Sequence, residues 1–378
     1  MRRALLASSV VLFACSSSST SATNQAQTDG GGDAFVHDIV LSMSLTVPAG
    51  VELHQCQYVK IPTTTDVEVS TMAHQYTEGS HHFLVWDTNL TDIPAGMTGQ
   101  YDCTNGDEPV YKPVTGIIYG AQVPTGSTIF PQGVGVKITA GHVVMLNTHF
   151  LNPSQKDIAS TAKFGMDIAK SPIATQAGFL LWYDQFIDLP AGAKASAGMR
   201  CAVPQDVTLL TGFSHYHQHG TGMTAYSDPS MTTPSTKPIY TSSNWEHPDE
   251  IAPGTVLKGG SAFRFICNYD NTSGTTEIIQ GPNVKTSEMC AFFGLYYPKL
   301  DPNFEGCGTS SFVGTGTQSC SQEQACVSMC PASDAPQYST GGAKIGACWQ
   351  RCVAAACDGA TDALLSGNAQ TCAAQKCQ

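Results

Sequence analysis

Fifteen cysteines in 378 residues limit what this chain can fold into more than any other feature. Reducing compartments rarely keep so many thiols, whereas exported proteins convert them into disulfides. The count therefore predicts an exported chain braced by bridges. Its length predicts two or three domains, since single cores usually stop growing at roughly 250–300 residues. Hydrophobic residues make up 42% of the chain, enough for real cores and too many for wholesale disorder. A formal net charge of −12 argues against a nucleic-acid partner, which would require a basic patch. No stretch approaches the ~20 apolar residues of a spanning helix, which excludes a multispan transporter.

The first residues agree with export. Arg2 and Arg3 precede an apolar run over residues 4–14 that is too short to span a bilayer and is shaped like the core of a signal peptide. The run ends Leu12-Phe13-Ala14-Cys15, a pattern that resembles a bacterial lipobox with Cys15 as the lipid-bearing residue. An ordinary signal peptide cleaved nearby is the alternative. With Cys15 lipidated, an even set of fourteen cysteines remains, consistent with complete pairing. Residues 1–15 are thus expected to be a leader, and residues 16–34, rich in Ser, Thr, Asn and Gly, a flexible tether. The expected location is the bacterial outer membrane or cell surface, with the lipid anchor as the sole membrane contact.

From residue 35 onward the chain breaks into short runs rich in Val, Ile, Thr and aromatics, among them IVLSMSLTVP, HHFLVW, SAFRFICNY and CAFFGLYY. Clusters such as PAG, NGDEP, NPSQ and NTSG separate them, the punctuation of antiparallel β-sandwiches. Helical periodicity is missing before residue 312, as is the alternating pattern of a doubly wound sheet. The expected fold class is all-β: two antiparallel, jelly-roll-like β-sandwiches over residues 35–172 and 173–312. A small, disulfide-rich helical module follows over residues 313–378. There, Cys326 and Cys330, and likewise Cys348 and Cys352, stand at i and i+4 on one face of a helical turn. Two such helices can exchange two disulfides, a staple that a segment with little core requires. Cys320, Cys357, Cys372 and Cys377 complete a set of eight. Zinc is the competing use of these thiols, and the oxidising compartment favours bridges.

The histidines fall into three tight contexts. His215 and His217 lie two apart in GFSHYHQHG, so on a strand they share a face and can reach one metal. His81 and His82 are adjacent in HHFLVW, and would point to opposite faces unless the strand bends, bulges or ends there. His149 sits in VVMLNTHFLN. Taken singly, the adjacent pair reads as solvated surface and His149 as a partly buried core histidine. Taken together, they suit copper, zinc, iron or nickel.

With these motifs in order, the chain resembles the copper type II, ascorbate-dependent monooxygenases, the family of peptidylglycine alpha-hydroxylating and dopamine beta-monooxygenases, over roughly residues 40–312. The most specific element is Ser287-Glu288-Met289-Cys290 with the following aromatic run, similar to the family's E-M-C segment. The resemblance implies two mononuclear copper ions and ascorbate or an equivalent reductant as co-substrate. One copper would be held by His81, His82 and His149, the other by His215, His217 and Met289, where catalysis takes place. It also implies disulfides Cys56–Cys103, Cys201–Cys307 and Cys267–Cys290. A soft thioether favours Cu(I). On its own, Met289 beside a bridged cysteine reads equally as core.

Some positions depart from the family pattern. Phe213 stands where the peptide-processing members grip a carboxylate with Arg, Ala291 where they have Asn, and Phe293 where they have an aromatic hydroxyl. Losing that clamp predicts a neutral or apolar substrate. Asn147 replaces a Gln two residues before the lone histidine, and His219 and His142 are left over. The expected partners are O2 and a small-molecule substrate, while a protein partner of the cysteine-rich module is not legible. The rival reading is an exported copper-binding, storage or docking protein that keeps the ligands without turnover.

Overall fold

Strand β1 (Ile39–Val47) buries Ile39, Leu41, Met43 and Val47 and turns the intervening residues toward solvent, the two-residue period of a half-buried strand. The rest of the first sandwich is β2 (Glu52–Lys60), β3 (Val67–Tyr76), β4 (Ser80–Thr88), β5 (Gln100–Asp102), β6 (Val114–Ala121), β7 (Thr125–Ile129), β8 (Val134–Ile138), β9 (Val143–Leu151), β10 (Ile158–Ile168) and β11 (Thr175–Gln176). The computed structural model describes residues 35–104, 109–339 and 342–377. The expected leader, Cys15 and the tether lie outside the described residues. One sheet has the order β1-β10-β3-β8-β11, with β7 against β3, and the other β5-β2-β9-β4-β6.

The second sandwich contains β12 (Gly178–Asp184), β13 (Asp188–Leu189), β14 (Lys194–Ala202), β15 (Val207–Leu209), β16 (Phe213–His215), β17 (Gly220–Asp228), β18 (Pro238–Ser242), β19 (Thr255–Leu257), β20 (Ala262–Asp270), β21 (Ile278–Ile279), β22 (Cys290–Tyr297) and β23 (Ser310–Phe312). Its sheets run β12-β22-β15-β19, with β16 against β22, and β18-β17-β20-β14-β23, while β13 pairs β21. Pairing among the named strands is antiparallel except for β11, which runs parallel to β8. Through that pairing β11 adds to the sheet of the first sandwich.

Residues of β9 are buried on both faces, as in a central strand covered from two sides. Val144 and Leu146 enter the sandwich core. Val143 and Met145 face outward into a smaller cluster with Tyr58, Trp86 and the Cys56–Cys103 disulfide. The main core does not stop at the seam. Tyr119, Ala121 and Phe164 of the first sandwich join Phe179, Phe213, Phe293 and Leu295 of the second in one apolar cluster. At Gly120 a Cβ would lie 2.7 Å from the Phe179 ring, so close approach of the two sandwiches requires a glycine there.

Beyond the short α1 (Pro302–Glu305), the C-terminal module consists of α2 (Cys320–Ser328), α3 (Ala347–Ala354), α4 (Ala360–Leu365) and α5 (Ala369–Ala374). Disulfides Cys326–Cys352 and Cys330–Cys348 join α2 to α3, and Cys320–Cys372 and Cys357–Cys377 close the rest. Although Cys330, Cys348 and Cys352 lie close together, these bridges consume their thiolates, which leaves no zinc ligands among them. The module is not an independent appendage. The buried Gln350 of α3 accepts hydrogen bonds from the backbone N–H groups of Ile187 (2.9 Å) and Gln280 (3.2 Å), filling a gap beside β13 and β21. Ile345 and Val353 pack on Phe186. The seven disulfides among the described residues suit an exported protein. Among the described residues no helix is long and apolar enough to cross a membrane.

Candidate metal centre

Register in the sheet β2-β9-β4 explains the first histidine cluster. His149 stands opposite His54 on one side and His82 on the other, so three adjacent strands carry three imidazoles in one row. The row lies on the outer face, since His54 shares a face with Cys56, His82 with Leu84, and His149 with Met145, all of the outward cluster. Cross-strand neighbours of this kind have Cβ atoms about 4.5–5.5 Å apart, within reach of a shared ligand. One ring nitrogen of each histidine lies within 4.8 Å of the other two.

His81 stands outside this cross-strand row, although its ring centroid lies 5.3 Å from that of His149 and 5.6 Å from that of His82. On an unbroken strand its parity, shared with Phe83 and Val85, would send it into the core. The register of β4 against β9 instead slips between Ser80 and His82, which makes His81 the extra residue of a β-bulge. The bulge aims His81 outward, where its ring centroid is 4.7 Å from that of His215 and 5.4 Å from that of His217. His81, His215 and His217 form a second cluster, again with ligand atoms within 4.8 Å of one another. The two clusters adjoin, with the His82 and His215 centroids 5.3 Å apart.

The second cluster is held by the loop after β16. His215 pairs in register with Ala291 of β22. Beyond it the chain turns through His217 and His219 into β17. Gly220 permits the turn, because a Cβ there would meet the Tyr216 ring at 2.1 Å. Glu288, wholly buried, organises the loop. One carboxylate oxygen accepts the His217 N–H (2.8 Å) and the other the His219 N–H (2.7 Å). The leftover His219 turns its Nδ1 to the same carboxylate at 3.3 Å and is in neither cluster. The other leftover, His142, pairs with Asp87 at 2.6 Å and is in neither cluster.

Hydrogen bonds fix which nitrogens remain for a metal. His149 donates Nε2–H to Glu52 (2.9 Å), leaving Nδ1 without a partner, and His217 donates Nδ1–H to the Ser287 carbonyl (2.9 Å), leaving Nε2. His215 turns Nδ1–H to Gln122 Oε1 (2.8 Å), an orientation set by Gln122 donating its amide to the Trp245 carbonyl. His54 Nε2, His82 Nδ1 and both nitrogens of His81 are buried and also lack hydrogen-bond partners among the described residues. Burial, reinforced by neighbouring imidazoles, holds His81, His82, His149 and His215 well below the usual histidine range. Burial lowers His54 to about 4, and it lowers His217 against the raising influence of Glu288. Six imidazoles, five of them with a buried, unpaired nitrogen, are costly alone and chemically suited to a borderline transition metal such as copper.

Met289 is half-buried one residue before β22. Its backbone is fixed from three directions: the Cys267–Cys290 disulfide, the Tyr269 hydroxyl donating to its carbonyl (2.7 Å), and Glu288 accepting its N–H at 3.3 Å. Cys201–Cys307 is the remaining bridge of the second sandwich. Phe213, Ala291 and Phe293 lie buried in the seam, with Phe213 also lining a small cavity beside Gly120, Gln122 and Glu250. Phe213 packs edge-on to Phe293 (5.6 Å), and Phe293 stacks on the His215 ring (5.2 Å). Asn147 shares the outer face of β9 with His149, and its amide donates toward the sulfurs of Cys56 and Cys103 rather than to a histidine.

Three residues had no individual sequence signal. His54 is found only through register, whereas Glu52 and Gln122 each bind a histidine and also bridge the sandwiches. Glu52 accepts from Asn283 and the Val284 N–H, both at 2.7 Å.

Residues 193–316 match the family model described as "Copper type II ascorbate-dependent monooxygenase, C-terminal domain". No curated protein matches the chain. Among solved structures, it is similar to the major capsid protein P2 of bacteriophage PM2 at 9% identity, over 70% of this chain and 100% of that one, with a TM-score of 0.24. The VP2 subviral particle of infectious bursal disease virus also matches at 9% identity, over 71% and 86%, with a TM-score of 0.17. Likenesses this low carry no argument.

Proposed function

We propose that the chain is a copper type II ascorbate-dependent monooxygenase, the family whose C-terminal domain model matches residues 193–316, and that it hydroxylates a C–H bond of a small substrate using O2 and a one-electron reductant such as ascorbate. The observation that carries this reading is the pair of adjoining three-histidine clusters, in which five of the six imidazoles have a buried nitrogen without a partner. Bound copper would supply one-electron redox chemistry and the activation of dioxygen. Two electrons and two protons balance the reaction, with one oxygen atom entering the substrate and the other leaving as water.

The protein's own groups hold and orient. Glu52, Gln122 and the Ser287 carbonyl fix the tautomers of His149, His215 and His217. Met289 is the thioether of the catalytic centre with His215 and His217, its backbone clamped by Tyr269 and the Cys267–Cys290 bridge. The substrate is neutral or apolar, because Phe213, Ala291 and Phe293 bring no charge to the neighbourhood of His215.

Oxygen uptake by the copper-loaded protein, driven by ascorbate and matched by a hydroxylated product, tests this function. Met289→Ile should abolish turnover while copper stays on the histidines. Two bound coppers with no coupled oxygen uptake on any neutral or aromatic substrate would instead mark a copper-binding protein without turnover.

A further inference from the structure

We propose that the C-terminal module positions the His217 loop, and that Gln350 is the residue through which it does so. The positioning stands on the chain's own hydrogen bonds, and only its bearing on catalysis rests on the copper reading above.

Gln350 lies fully buried on α3, between Cys348 and Cys352, the two residues that disulfides tie to α2. Its amide has a fixed orientation. Nε2 donates to the Ile345 carbonyl (3.0 Å), so Oε1 is the atom that accepts from the Ile187 and Gln280 N–H groups. The Gln280 N–H is shared with the Ile187 carbonyl at 3.3 Å, whereas the Ile187 N–H depends on the module for its acceptor.

From Gln280 the bonds continue toward the histidines. On one side, Ile278 and Ile279 pair with β13. On the other, the Glu288 N–H donates to the Ile279 carbonyl (3.0 Å) and the Gly281 N–H to the Glu288 carbonyl (3.1 Å). The two segments touch, since a Cβ on Gly281 would lie 2.8 Å from the Ser287 side chain. The main chain of Ser287 and Glu288 is therefore placed by residues 279–281. These same two residues hold the loop. The Glu288 carboxylate accepts the His217 and His219 N–H groups, and the Ser287 carbonyl accepts Nδ1–H of His217. A side chain of the module is thus joined through β21 and Glu288 to His217, and every link lies in the module or the second sandwich.

Amide hydrogen exchange of the full, copper-free chain, resolved to single residues by fragmentation mass spectrometry, tests the linkage. Gln350→Met keeps nearly the same length and volume and removes the acceptor, leaving the buried Ile187 N–H unpaired. Exchange at His217 and His219 should rise roughly tenfold or more. Val353→Ala trims the same face of α3 where it packs on Phe186 and leaves Gln350 in place, so it should raise these two amides far less. Strand β10 of the first sandwich serves as reference and should exchange as in the wild type. A smaller rise in Gln350→Met, or an equal one in Val353→Ala or in β10, overturns the proposal. Far-UV circular dichroism and the absence of free thiols check folding, and Gln350→Leu takes the place of the Met variant if that variant fails the check. The expected exchange without oxygen uptake by the copper-loaded wild type would sink the monooxygenase reading and leave the role of the module intact. Coupled uptake by the wild type with unchanged exchange in Gln350→Met would do the reverse.

Discussion

Replacing Glu288 with Gln tests whether one buried carboxylate builds the His217 loop. The wild-type side chain, fully enclosed, accepts N–H groups at 2.8 and 2.7 Å from His217 and His219, one on each oxygen. Gln has almost the same volume and keeps one acceptor, but it presents an NH2 group to the other N–H. One bond to a charged acceptor is lost, at about 1.5–3 kcal/mol, and a buried donor is left facing a donor, at about 1–3 kcal/mol. Allowing for partial relaxation, the net cost is about 2–4 kcal/mol. At ~2–4 °C per kcal/mol for domains of this size, the copper-free protein should lose roughly 5–15 °C in Tm. Near-UV circular dichroism reads the melt. The same substitution should weaken copper at the His215/His217 centre roughly 10- to 100-fold, the usual cost of removing a group that orients a metal ligand. The His149 row should hold its copper unchanged. A Tm within ~1 °C of wild type together with unchanged affinity would refute the argument that Glu288 organises this loop.

Other expectations are simpler to state. His74 lies outside the clusters, with Nδ1 on the Tyr119 hydroxyl and Nε2 on the Val123 carbonyl, both at 2.8 Å, and burial lowers it to about 4. Its stabilising contribution is therefore complete above pH 6.5 and lost as pH falls toward 4. His74→Gln should flatten that part of the stability profile, an effect of ~3 kcal/mol between the limits, read by urea denaturation. Paired replacement of Cys267 and Cys290 by Ala opens a link with a sequence separation of 23 and should cost about 2–4 kcal/mol. It should also loosen copper at the second centre, because Met289 loses a brace. Phe293→Ala empties a buried position in the seam and should cost roughly 3–5 kcal/mol, measured as a lower urea midpoint with an unchanged slope.

Much of this arrangement was legible in the residues. The all-β class followed from β-branched and aromatic runs broken by Gly, Pro and Asn, and the helical module from cysteines at i and i+4. Strand register was not. Nothing in ELHQCQYVK says that His54 will lie opposite His149, because the pairing of two strands 95 positions apart is set by packing across the whole sheet. The adjacent His81 and His82 did signal a bulge. Which way the extra residue turns depends on a neighbouring sandwich that no local pattern describes. Phe213 and Phe293 read as pocket residues because the absence of a charge clamp is visible in sequence, whereas closure of the seam over them is not. Glu52 and Gln122 work through residues far away in the chain, Asn283 and Val284 for one and His215 and Trp245 for the other, and neither carries a motif.

Gln350 sets the smallest unit of this protein that can be studied in isolation. A fragment trimmed just after β23 would look complete by strand count, yet it would strip acceptors from the Ile187 and Gln280 N–H groups and bare Phe186 to water. The damage would land on the sandwich that carries His215, His217 and Met289. Shortened versions would therefore report on a damaged sandwich rather than on a dispensable tail, and internal point changes are the sounder way to ask what the module is for.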